Sequence, residues 1–142
     1  MVVELALFTA LLLPLTFGIT EYGRAIYQYN TIAKGVRSGV RHLSQYEPGN
    51  SNRIDEAKCL TVFGKMNCNE HDKALVDGLT KNMVVVEDSI SDAATYKLQP
   101  TGRGALNLVQ VAVTGYRFTS LASGYVPNLN FGNISATMVQ LP

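Results

Sequence analysis

MVVELALFTALLLPLTFGIT, residues 1–20, decides how the rest of the chain is read. It holds a single charge, Glu4, and every other charged residue lies from Glu21 onward. At roughly 1.5 Å per residue, a helix of this length reaches across the hydrocarbon core of a bilayer. A cleavable secretory signal needs a basic region before its apolar run and a small-residue cleavage site after it. Here the run begins at once and passes straight into EYGRAIYQYN, residues 21–30, so the segment reads as retained.

Glu4 is the anomaly in that segment, because a carboxylate near the start of a membrane span is costly to bury and marks a function or a partner. Two readings are open. Glu4 can lie at the interface and reach toward the headgroups. Alternatively, with a new N-terminal amine about one helical turn away, it can pair with that amine on a neighbouring subunit, each charge neutralising the other inside a bundle of packed helices.

Working outward, Ile26, Tyr29, Ile32, Ala33, Val36, Val40 and Leu43 recur every three or four residues, the period of an amphipathic helix. The stem therefore continues well past the apolar run. Gly35 and Gly39 form a pair spaced by four that permits close approach of another backbone, either an outside element or the chain's own head. Pro14 removes a helical hydrogen bond and clashes with the preceding turn, which predicts a kink or an unwound stretch there, and Gly18 weakens the helix further. Glu47, Pro48, Gly49 and Asn50 should stop the stem. Ser51 or Asn52 is then placed to cap a second, short helix ending near Phe63, with Gly64 as its C-terminal cap.

The remainder reads as three antiparallel strands, at residues 83–86, 106–118 and 134–141, with Val109, Val111 and Val113 alternating toward a core. Residues 100–104 (PTGRG) form a flexible turn between the first two strands. Residues 120–132 form a longer loop before the third. This divides the chain into an apolar segment 1–23, an amphipathic continuation 24–46 and a head 47–142.

A net charge of +1 over 142 residues leaves no basic footprint for nucleic acid. The two cysteines, Cys59 and Cys68, stand close together behind an apolar segment and read as a disulfide in an exported domain. No phosphate-binding loop, nucleophile elbow or paired metal-binding cysteines are present, so neither catalysis nor a cofactor is expected. His42 and His71 beside Cys68 and Asp72 make only a weak metal pattern. Tyr22, Tyr27 and Tyr29 gather where the apolar run ends, as an interfacial aromatic belt does.

An apolar helix with a glutamate near its start resembles the type IV pilins after removal of their basic leader, although their acid stands at mature position five and here it stands at four. More specifically, residues 11–30, LLLPLTFGITEYGRAIYQYN, resemble the TadE-like family of tight-adherence pilus systems. A proline-interrupted leucine run is followed by glycine and then by Glu21, Tyr22, Gly23 and Arg24. Residues 58–64 and 113–118 resemble the family more weakly.

The resemblance implies an α+β, type IV pilin-like fold: a long, Pro-interrupted N-terminal helix bearing a small head of a short helix and about three strands. It implies a structural subunit stored in the bacterial inner membrane and polymerised with copies of itself and other pilins into an extracellular filament for surface attachment. Prepilin peptidase and the pilus assembly machinery are the partners it implies. Met1, Glu4, Pro14, Glu21 and Arg24 are the candidate assembly residues, and Glu21 can pair with Arg24 along one helix face or bridge to the next subunit. The competing expectation is a single-span, membrane-anchored extracytoplasmic binding domain.

Overall fold

Helix α1 spans Val2–Leu43, 42 residues and about 63 Å long, in a computed structural model that describes residues 2–69, 71–102 and 104–141. Its lower half carries Val2, Leu5, Phe8, Leu12 and Ile19 exposed to the surroundings, and its most apolar 18-residue window has no buried residue. The hydroxyls of Thr9, Thr16 and Thr20 fold back onto the carbonyls of Leu5, Leu13 and Thr16 at 2.8, 2.9 and 2.8 Å, leaving the helix few polar groups to present outward.

The helix passes through Pro14 without interruption, so the unwinding expected there does not occur. One missing amide is a local loss, and the helical hydrogen bonds on either side hold the backbone. The stem ends at Leu43, three residues before its expected limit, in tight turns from Gln45 to the His42 carbonyl and from Tyr46 to that of Leu43.

Helix α2, Ser51–Phe63, is capped by Asn50 rather than by Ser51 or Asn52, and the Asn50 side chain accepts a hydrogen bond from the Arg53 amide at 3.3 Å. Gly64 ends it in the left-handed conformation, with φ of 73° and its amide bonded to the Leu60 carbonyl. The two helices cross at Gly35 and Gly39. A Cβ on Gly35 would collide with the Thr61 carbonyl, and one on Gly39 would meet Thr61 Oγ1 and come within 3.0 Å of the Ala57 carbonyl. Of the two uses open to this glycine pair, the fold adopts close packing of the chain's own head.

The sheet is antiparallel and centred on β3, Gly104–Val113. Strand β1, Val84–Glu87, pairs with residues 110–113 of β3, strand β2, Gln99–Thr101, with residues 104–106, and β6, Ile134–Gln140, with residues 107–113. Pro100, Thr101 and Gly104, expected in a flexible turn, are instead paired residues of β2 and β3, and Arg103 lies outside the described residues. The strand expected over 106–118 breaks at Gly115, where φ is 73°, and resumes as β4, Arg117–Phe118, which pairs with β5, Leu129–Asn130, inside the expected loop.

Helix α3, Ala93–Tyr96, covers the connection from β1 to β2. Val109, Val111 and Val113 are fully buried, as their alternation indicates. They pack with Ile32, Val36, Val40 and Leu43 of the stem, Ala57 and Val62 of α2, and Val84 and Ile134 of the sheet. The head is therefore built around the upper stem, an α+β arrangement of one long helix, a short helix and three principal strands.

Candidate functional site

The stem below the head presents a large apolar surface that the described residues leave uncovered, and Glu4 and Pro14 stand along it. Glu4 stands exposed in the first turn of α1, where a negative charge suits the helix dipole, and it shares a face with Leu7, Phe8 and Leu11. Met1 lies outside the described residues. Pro14 is half-buried ten residues further up.

Glu21 and Arg24 are brought together, and the head joins them. The guanidinium donates through Nε to Glu21 Oε1 at 3.2 Å and through Nη2 to Oε2 at 2.9 Å. The same Nη2 donates to the Thr119 carbonyl at 2.6 Å, and the Leu121 amide donates to Glu21 Oε2 at 3.0 Å. Arg24 also stacks over the Phe118 ring, 4.4 Å from its centroid. Glu21 is only 5% exposed. The pair thus lies along one helix face, as its spacing allows, and it makes further hydrogen bonds to Thr119 and Leu121 of the same chain.

Above this clamp the stem and head are riveted by aromatics. Phe131 meets Tyr29 edge-on at 5.6 Å, Tyr116 at 5.5 Å and Phe118 at 6.3 Å, while the Tyr116 hydroxyl donates to Gln28 Oε1 at 3.0 Å. The tyrosine cluster read from sequence is therefore split. Tyr29 packs on the head, whereas Tyr22 and Tyr27 stay exposed on the stem. Below the clamp, Phe17 stacks on Tyr125 at 6.1 Å with the rings 9° from parallel.

Cys59 and Cys68 form a disulfide with their Cα atoms 5.6 Å apart, tying α2 to the loop that follows it. His42 is committed elsewhere, with its Nε2 2.8 Å from Glu56 Oε2, and Arg53 donates to both oxygens of the same carboxylate. Hydrogen bonds from Arg53 and then His42 hold the Glu56 carboxyl below its ordinary range. Among the described residues no group of three or more His, Cys, Asp and Glu side chains is arranged to hold a metal ion.

Sequence reasoning missed residues 118–121 as partners of the Glu21 motif, since they lie about a hundred residues away in the chain. The one signal available was the uncharged run 118–142 that follows Arg117, a composition suited to lying against an apolar stem.

Residues 1–41 match the family model described as TadE-like protein. The stem thus carries a TadE-like segment, in keeping with the resemblance of residues 11–30, and that family is a structural, pilus-related one. No curated protein and no solved structure matches the chain.

Proposed function

We propose that this protein is a structural subunit, a pilin or pseudopilin, of a type IV-like tight-adherence pilus. The observation that carries the reading is the lower stem: an apolar helical surface that the chain's own head leaves bare, marked near its start by Glu4, within the TadE-like segment. Such a surface needs lipid or other apolar helices around it. A bilayer covers it while the subunit is stored in the inner membrane, and the stems of neighbouring subunits cover it in an extracellular filament used for attachment.

In this reading residues 1–23 form the membrane and filament-core segment. Residues 24–46 serve as the backbone of the head, residues 47–142. Glu4 pairs with an amine near the start of the stem on a neighbouring subunit, so that opposite charges meet inside the packed stems when the subunits are in register. Pro14 weakens the helix at a point where packing into a filament can stretch it. Prepilin peptidase and the assembly machinery act on the same segment.

Replacing Glu4 by Leu tests the proposal. Membrane insertion should persist while the yield of sheared surface fibres falls to background, because an apolar stem still partitions into lipid but has lost its register mark. Normal fibre yield from Glu4→Leu would overturn the pairing and favour a head merely anchored by a single span.

A further inference from the structure

We infer that the segment 119–126 is a membrane-seating foot: while the subunit is stored in the membrane, Leu121 and Tyr125 enter the interfacial layer of the bilayer beside the stem. The inference rests on the reading that residues 2–20 span that bilayer.

The geometry begins with depth. Nineteen helical residues rise about 28 Å, close to the thickness of a hydrocarbon core, so the span needs its full length. Yet the head touches the stem below the top of the span. Tyr125 stacks on Phe17, three residues and about 4.5 Å beneath Thr20. The Leu121 amide is fastened to Glu21 at 3.0 Å, one residue past the span's end. A head fastened there cannot stand clear of the membrane surface.

The chemistry of the segment suits that depth. Leu121 is 83% exposed and Tyr125, though stacked on Phe17, is 63% exposed, whereas Ser120 and Val126 are buried, so apolar surface is left open beside the stem. No charged residue occurs anywhere in 118–142. Several of the segment's backbone amides are satisfied from within. The Ser120 amide donates to Asn128 Oδ1, the Ala122 amide to Ser120 Oγ, and the amides of Tyr125 and Val126 both donate to the Ala122 carbonyl. At the interfacial level the other backbone groups can keep water and headgroups as partners, and a tyrosine with an apolar ring and a polar tip suits that level. Tyr22, exposed on the stem one residue past Glu21, lies at the same level. Because the apolar span and the foot form one continuous surface, the bilayer that covers the first also covers the second.

The chain contains no tryptophan, so a single substitution supplies the sole indole reporter. Full-length protein carrying Leu121→Trp, or separately Tyr125→Trp, is reconstituted at low protein density in vesicles of phosphatidylethanolamine and phosphatidylglycerol. Brominated lipid then serves as quencher. Leu12→Trp marks the span, and Ile90→Trp marks the far end of the head. The expected result is blue-shifted emission and loss of fluorescence to brominated lipid at positions 12, 121 and 125, with position 90 quenched only from the aqueous phase.

If position 12 is quenched by lipid while 121 and 125 behave like 90, the foot is refuted and the span stands. If position 12 also escapes the lipid quencher, the spanning reading falls and takes the foot with it. Protection at 121 that rises with protein density, without quenching by lipid, would assign the patch to a second copy of the chain and overturn the proposal.

Discussion

The backbone amide of Leu121 donates to the Glu21 carboxylate at 3.0 Å, joining residues one hundred positions apart. That bond gives the Glu21 and Arg24 pair a role within the subunit. An exposed pair three residues apart on a helix contributes only about 0.2–0.5 kcal/mol. Here the pair is shielded by Phe118 and shares its hydrogen bonds with the head, so its loss is felt along the whole junction.

The two partners of the clamp should not contribute independently. Arg24→Ala leaves the buried Glu21 carboxylate with the Leu121 amide but no counter-charge, whereas Glu21→Ala leaves Arg24 still bonded to Thr119 and stacked on Phe118. Arg24→Ala is therefore expected to lower the melting temperature of the detergent-solubilised chain more than Glu21→Ala does. The double variant should fall short of the sum of the two. Strictly additive losses would show two independent surface charges.

Gly35→Ala should destabilise the head although alanine is the better helix former by about 1 kcal/mol. The added methyl meets the Thr61 carbonyl, which is backbone and cannot turn aside, so a cost of roughly 1–3 kcal/mol from overpacking is expected to outweigh the gain. Gly39→Ala should be milder, since part of its clash is with the rotatable Thr61 hydroxyl. Denaturant unfolding of the two variants gives the comparison, and equal or reversed effects would mean that the helix crossing yields more easily than its geometry implies.

Intact-mass measurement without reductant should show the chain two hydrogens lighter than its reduced mass, from the Cys59 to Cys68 bond. Closing a loop of about ten residues contributes on the order of 2–3 kcal/mol in the chain-entropy description. Cys59→Ser with Cys68→Ser should therefore still fold but unfold at lower denaturant. Unchanged stability would place the effect of the bond elsewhere than in the unfolded chain.

Acid should loosen the turn between stem and α2 through Asp88. Burial by itself would push this carboxyl up. It is outweighed by hydrogen bonds from the amides of Ser91 at 2.9 Å, Gly49 at 2.7 Å and Ile90 at 3.0 Å, so the group titrates below its ordinary value of 3.8. A depressed folded-state value means that the stabilisation is fully present above pH 3.8 and is lost as pH falls through the lower folded value. The melting temperature of the wild type should drop over that acid range. Asp88→Asn should be less stable near neutrality and show a shallower acid decline, and an unchanged acid profile would refute the assignment.

Much of this protein was legible without coordinates because its signals are local. An uninterrupted apolar run, a three-to-four residue period from Ile32 to Leu43, a left-handed cap at Gly64 and the alternation of Val109, Val111 and Val113 each depend on neighbours within a few residues. Those features determined the stem, the second helix and the central strand. The tertiary structure alone decided which residues face which. It set Gly35 and Gly39 against Thr61 of α2, broke the long strand at Gly115, and placed Leu121 and Tyr125 on Glu21 and Phe17. The physical reason is that a hydrogen bond or ring contact across a hundred residues depends on the path of the whole chain between them. Periodicity can say that Glu21 needs a partner, but only the folded head can bring the Leu121 amide to it.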